Sequence, residues 1–105
     1  MKRLWIGLAV LVLVGLPLLA QQAPTVAVFI STLKNPYFVT LAEGARAAGK
    51  ALGAQVVIYD GQDDAALQLS QVEDAIAAGV QAICINPAHT EALIPAVERA
   101  NEVGV

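Results

Sequence analysis

Three runs rich in Val and Ile, at about Thr25–Ser31, Gln55–Asp60 and Ala82–Asn86, recur along the chain with little polar alternation inside them. Continuous apolar strands belong to a sheet covered on both faces, hence to parallel strands with helices above and below. The segments that follow them carry helical spacing. Leu41, Ala45, Ala48 and Leu52 make one apolar stripe, Leu69, Val72, Ile76 and Gly79 a second, and Leu93, Val97 and Ala100 a third. Start and stop signals agree with these helices. Asn35 can cap the first, with Pro36 in its first turn; Asp63 or Asp64 can cap the second, and Thr90 the third. Gly53, Gly79 and Gly104 each follow a helix, where a left-handed residue closes the last turn. One local conflict stands out: Pro95 falls about one turn into the third helix and removes a backbone bond there unless that helix starts late.

The class is therefore α/β, a doubly wound parallel sheet built here from three strand–helix units. After Gly53 and after Gly79 two residues lead into a strand, whereas Gly104 is followed by Val105 alone. The rhythm anticipates a fourth strand. Three strands would leave sheet edges open and apolar surface uncovered, which is hard for so small a unit to support. The expectation is that residues 21–105 form the first part of one lobe of a larger protein.

Residues 1–20 read as a secretory signal peptide. Lys2 and Arg3 give a positive start, Leu4 to Leu19 is an uncharged apolar run, and Leu18-Leu19-Ala20 offers a cleavage site before Gln21. The run is shorter than the ~20 residues a spanning helix needs, and Pro17 near its end favours processing. No cysteine follows it, so a lipid anchor through an N-terminal Cys has no support. Export to a periplasm-like space, with cleavage near Ala20, is the expectation.

Past Ala20 the chain keeps Lys34, Arg46, Lys50 and Arg99 against nine acids. That acidity argues against a nucleic-acid partner, since phosphate binding relies on clustered Lys and Arg. The single Cys84 cannot form an internal disulfide, and in the run Ala82-Ile83-Cys84-Ile85 it reads as a small buried thiol.

The segment from Val26 to Leu41 carries the functional signal. An apolar β-branched run stops at Ser31, a short polar turn follows, and Asn35-Pro36 opens a helix with Tyr37 and Phe38 in its first turn. A hydroxyl, an amide and two flat apolar faces are thus placed at the carboxyl end of a strand, where open α/β sheets bind ligands. The mixture suits a polyol such as a sugar, with hydroxyls on its rim and C–H groups on its faces. It does not suit a phosphate, which wants glycines and bare N–H groups. Without a ligand, Ser31 and Asn35 are a turn residue and a helix cap, but the carboxamide of Asn35 can serve a cap and a ligand at once. Adjacent helical positions point about 100° apart, so Tyr37 and Phe38 cannot both be buried by one sheet.

The stretch Ser31-Thr32-Leu33-Lys34-Asn35-Pro36-Tyr37-Phe38 resembles the periplasmic sugar-binding proteins of the ribose-binding type, the substrate receptors of ABC importers, which are related to the effector domains of LacI-type repressors. The likeness continues through Leu41–Ala45, Val57–Asp60 and Ala82–Pro87, and covers essentially all of residues 24–105. It implies a fold of the periplasmic binding protein-like I kind: a two-lobed α/β protein, monomeric when complete, that closes on a monosaccharide and delivers it to an ABC permease in the membrane. This chain would supply the first three β-α units of the N-terminal lobe, with sheet order 2-1-3 and the switch point between the first and third strands. By the same resemblance the positions of Ser31, Asn35, Tyr37 and Phe38 face the sugar. Ser31 and Asn35 would hydrogen-bond hydroxyls, and the rings would pack on C–H faces. Ribose-specific members tend to have Phe where this chain has Tyr37, so the implied ligand is a ribose-like pentose or a related sugar.

Other chemistries find less in the residues. His89 is the only histidine and has no second ligand type at metal spacing, so it reads as a solvated loop residue and no metal is expected. Asp60 ends the second strand, where dinucleotide folds keep an acid, but the first strand–helix turn lacks glycine between Ser31 and Asn35, and the phosphate step fails. Asp60, Asp63 and Asp64 look like turn and cap chemistry rather than a calcium loop. No nucleophile–base arrangement or Gly-rich loop supports an enzyme or calls for a cofactor. The alternative to a transport receptor is an extracytoplasmic sugar-sensing domain of a signalling receptor with the same fold. A LacI-type regulator would need a basic helix-turn-helix where this chain has an apolar leader.

Overall fold

Alternating strands and helices follow the expected rhythm: β1 (Thr25–Ile30), α1 (Pro36–Leu52), β2 (Gln55–Asp60), α2 (Ala65–Ala77), β3 (Ala82–Ile85) and α3 (Thr90–Glu102). The computed structural model describes residues 22–105, so the expected leader over residues 1–20 and its cleavage near Ala20 lie outside the described residues. The strands are parallel in the order β2-β1-β3, with Ile30 beside Asp60 on one side and Phe29 beside Ile85 on the other. That is the expected 2-1-3 sheet, with β1 central. The crossover after β2 carries the chain past β1, so α1 covers β1 and β2 on one face while α2 and α3 share the other.

Alternation along β1 explains its burial. Ala27 and Phe29 meet Val72, Ala75, Leu93 and Ala96 from α2 and α3, whereas Val28 and Ile30 point to the α1 face, and all four are buried. Phe29 also stacks on its register neighbour Tyr59, with ring centroids 4.8 Å apart. Asn35 and Asp64 cap α1 and α2 as expected: Asn35 Oδ1 accepts from the Tyr37 amide at 3.0 Å and Asp64 Oδ1 from the Leu67 amide at 3.1 Å. Gly53, Gly79 and Gly104 all take positive φ after their helices.

Several expectations need correction. Thr90 is not the cap of α3 but its first residue; the extended backbone sits at His89, whose Nδ1 accepts from the Ala92 amide at 3.3 Å. Nor does α3 start late, so Pro95 is its sixth residue and the Glu91 carbonyl loses its helical donor; both residues are exposed, where water can serve instead. The inward face of α1 is Ala42 and Gly49 with Ala45 half-buried, while Leu52 is 83% exposed. Close approach is the reason: a Cβ at Gly49 would collide with the Val56 side chain, so only the small-residue face of α1 can settle on β2 and the leucines turn to its flanks. In α3, Leu93, Ala96 and Ala100 face inward and Val97 is exposed. Finally, Cys84 is exposed rather than buried. It is in register with Val28 and so lies on the α1 face, but α1 sits over β1 and β2 and leaves that part of the edge strand β3 bare.

Candidate functional site

The loop Ser31–Asn35 leaves the carboxyl end of the central strand, beside the switch point where the neighbouring strands depart to opposite sides. Ser31 and Thr32 are buried, while Leu33 is half-buried and Lys34, Asn35 and Pro36 are exposed. The loop thus rises from the sheet floor to the surface within four residues. Local chemistry shapes it: Thr32 Oγ1 accepts from the Lys34 amide at 3.2 Å, and the Asn35 carbonyl accepts from Phe38 and Val39 to begin α1.

Each expected site residue has a definite place. Ser31 keeps its backbone occupied, donating to Asn86 Oδ1 at 3.1 Å and accepting from the Asp63 amide at 2.7 Å, while its hydroxyl makes no hydrogen bond among the described residues. Asn35 spends Oδ1 on the cap, and its NH₂ remains without a partner among the described residues. Tyr37 is 67% exposed and Phe38 half-buried, with the rings edge to face at 5.3 Å. The loop therefore carries a hydroxyl on buried Ser31, two unpaired amide hydrogens on exposed Asn35 and one freely accessible aromatic ring on Tyr37 within seven residues. Tyr37 and Phe38 are in contact; Ser31 and Asn35 stand at the two ends of the loop.

Three polar side chains tie the strand ends together near this loop: Asp60, which the sequence already marked as turn chemistry, and Gln68 and Gln71, which it did not. Asp60 Oδ1 accepts from the amides of Leu33 at 3.1 Å and Gln62 at 3.0 Å. Gln68 is wholly buried; its Nε2 donates to the Asn86 carbonyl at 2.9 Å and its Oε1 accepts from the Ala88 amide at 2.8 Å. Gln71 Nε2 donates to the Asp60 carbonyl at 2.8 Å, leaving Gln71 Oε1 buried without a partner among the described residues. Gly61 fits where nothing larger does, since a Cβ there would stand 2.9 Å from the Ile30 carbonyl and 3.1 Å from that of Ser31. The signal in the sequence was Gln68 itself, a polar residue four positions before Val72 on the face that the helix buries.

Two half-open hollows among the described residues lie elsewhere. One of about 260 Å³ runs between β3 and α3, floored by Ile85, Leu93, Ile94 and Val97, and a second follows Ile83 and Ala100 to Val105. Both follow the outer edge of β3; the first is almost wholly apolar and offers a polyhydroxylated ligand little to bond with, while the second adds the Asn101 side chain but no aromatic surface, so the β1–α1 loop is the better candidate. His89 stands at the carboxyl end of β3 as a helix cap, and no group of three or more His, Cys, Asp or Glu side chains suited to a metal ion occurs among the described residues. No helix among them is long and apolar enough to cross a membrane.

Comparison with known proteins adds to this geometry. A family model described as a periplasmic binding protein domain matches residues 26–105. The ribose import binding protein RbsB of Bacillus subtilis is 47% identical over 81 residues, covering 77% of this chain and 27% of its own length. That of Escherichia coli is 36% identical over 86 residues, covering 82% and 29%. Among solved structures, an ABC transporter solute-binding protein from Mycobacterium smegmatis with bound glycerol superposes with a TM-score of 0.75 at 27% identity, covering 78% of this chain and 28% of its own. One from Actinobacillus succinogenes with bound D-allose gives 0.72 at 30% identity, covering 78% and 29%. The chain spans under a third of the length of each of these relatives.

Proposed function

The chain belongs to the periplasmic binding protein domain family, and on that footing we propose that it is part of an extracytoplasmic receptor that captures a monosaccharide, a ribose-like pentose or related sugar, for an ABC importer. The observation that carries the reading is the β1–α1 loop. Ser31 offers a free hydroxyl and Asn35 a free NH₂, while Tyr37 and Phe38 supply aromatic surface, all at the carboxyl end of the central strand. A sugar needs both kinds of contact, because its hydroxyls must recover the hydrogen bonds they lose with water while its C–H faces favour flat apolar partners. Ser31 and Asn35 are assigned to hydroxyls, and Tyr37 and Phe38 to the ring faces.

Export to the periplasm and a permease partner follow from the same reading, supported by relatives whose names describe import binding proteins and solute-binding proteins. Those names describe binding rather than catalysis, and the loop holds no nucleophile beside a base. The sensing alternative has no observation in its favour. Calorimetric titration of the full-length protein with D-ribose, D-allose and a panel of other pentoses and hexoses tests the reading. Saturable one-to-one binding of a pentose or a close relative is expected, and absence of heat with every sugar overturns it.

A further inference from the structure

We infer that Asp60 is a positioning residue for the proposed sugar site, one that sets the shape of the Ser31–Asn35 loop through the backbone it holds; the inference rests on the receptor reading above. Two turns meet at this end of the sheet, the β1–α1 loop and the β2–α2 turn over residues 61–64. They are joined at three points. The Gly61 amide donates to the Ile30 carbonyl at 2.8 Å, the Asp63 amide to the Ser31 carbonyl at 2.7 Å, and the Leu33 amide to Asp60 Oδ1 at 3.1 Å.

The first two bonds fix only the strand end. The third reaches into the loop, two residues beyond Ser31 and two before Asn35, and it is the only one of the three made by a side chain. The same oxygen accepts from the Gln62 amide at 3.0 Å, so one carboxylate oxygen closes its own turn and holds its neighbour. An aspartate that merely shaped a turn would need only the Gln62 bond; the bond across 27 residues to Leu33 is the additional feature. The turn it closes also holds Gln62 and Asp63 at φ 52° and 56°, a backbone conformation that non-glycine residues seldom adopt and that clusters beside ligand sites. Without Asp60 Oδ1 the Leu33 amide loses its acceptor. The segment that carries the Ser31 hydroxyl at one end and the Asn35 carboxamide at the other is then free to move. Ligand binding would have to order it, and affinity falls accordingly.

The test is titration of the full-length protein with D-ribose and with D-allose, paired with thermal unfolding. Asp60→Ala is expected to weaken binding about tenfold, the scale of one net hydrogen bond to a charged group. Asp60→Glu keeps the charge but displaces the oxygen, is expected to weaken binding similarly, and serves if Asp60→Ala does not fold. Asp60→Asn retains the Oδ1 acceptor and is expected to stay within about twofold of the unaltered protein. Asp64→Ala removes the cap of α2 without touching the loop; it should lower the unfolding temperature and leave affinity unchanged. If Asp60→Ala and Asp60→Glu bind as well as the unaltered protein, or lose no more than Asp64→Ala, the positioning role is overturned while the receptor reading stands. An unaltered protein that binds neither these sugars nor any other in the panel overturns the receptor reading and this inference with it.

Discussion

Gln68 grips the turn that begins at Asn86 from both ends. Its Nε2 donates to the Asn86 carbonyl at 2.9 Å and its Oε1 accepts from the Ala88 amide two residues on, so one buried carboxamide satisfies a backbone acceptor and a backbone donor together. Asn86 in turn accepts the Ser31 amide on Oδ1 at 3.1 Å, which links α2, the end of β3 and the end of β1 in a single chain of bonds. Replacing Gln68 with Leu keeps the volume but strands both backbone groups. The expected cost is about 2–3 kcal/mol of unfolding free energy, measured by denaturant titration. Gln68→Glu keeps an acceptor for Ala88 but turns the donor into a second acceptor facing the Asn86 carbonyl, and is expected to cost a similar amount. A loss below about 0.5 kcal/mol for Gln68→Leu would mean that water replaces the amide at no penalty.

Gly61 tests how tightly the two turns fit. A Cβ at this position would meet the Ile30 carbonyl at 2.9 Å, the Ser31 carbonyl at 3.1 Å and Gln68 Nε2 at 3.3 Å, and the first two of these are backbone atoms that cannot swing aside. Gly61→Ala therefore has to push the β2–α2 turn off the end of β1, stretching the 2.8 Å bond that the Gly61 amide makes to Ile30. The expected destabilisation is about 1–3 kcal/mol in an unfolding experiment, in the range of other overpacked sites. Increased amide exchange of Asp63 and Leu33 would locate the damage at the seam, and unchanged exchange there would count against it.

The strands and two of the three caps were legible because each depends on residues near one another in sequence, and the unbroken apolar runs told of a parallel sheet. The order β2-β1-β3, by contrast, pairs residues as far apart as Val26 and Ala82 and was expected only from the family resemblance. β-branched runs make Thr25–Ile30, Gln55–Asp60 and Ala82–Ile85, and Asn35 and Asp64 cap from within their own first turns. The flank of a helix that faces inward was harder to read. Leu41 and Leu52 have the spacing of a buried stripe, but the close passage of β2 admits only Ala42 and Gly49, a constraint set by tertiary distance. Cys84 is apolar by context yet exposed by its position on an edge strand beyond the reach of α1. The types of Ser31, Asn35, Tyr37 and Phe38 at a strand end made them site candidates in the sequence, and the assignment of these four to a sugar stays a proposal. Asp60 was legible as a turn residue, but its bond to Leu33 and the bond of Gln68 to Ala88 were not, because each joins elements 20 or more residues apart.

His89 caps α3 with an aromatic nitrogen, a weaker choice than a carboxylate. Nδ1 accepts the Ala92 amide at 3.3 Å, which requires a neutral ring with its hydrogen on Nε2. Asp in its place would supply an acceptor of the kind that helix starts favour and a negative charge beside the positive end of the helix dipole. His89→Asp is therefore expected to raise stability by about 0.5–1 kcal/mol in low salt, with part of the gain lost as ionic strength rises. His89→Ala removes the acceptor and should lower stability by about 0.5–1 kcal/mol. Equal unfolding midpoints for all three proteins would show that the α3 start contributes nothing to the transition.

Tyr37 and Phe38 separate ligand surface from core. Tyr37 is two-thirds exposed, so its removal costs the fold little, and whatever it contributes must come from something that packs on it. Phe38 is half-buried and meets Tyr37 edge to face at 5.3 Å, so it serves the fold and orients its neighbour. In the full-length protein, Tyr37→Ala is expected to weaken sugar binding about tenfold with an almost unchanged unfolding temperature, and Phe38→Ala to lower both. Tyr37→Phe keeps the flat face and removes only the hydroxyl, so it should retain most of the affinity while altering the ranking among sugars that differ in a single hydroxyl. Full affinity in Tyr37→Ala would remove the tyrosine from the ligand surface and leave Phe38 as the only ring of the pair able to face a sugar.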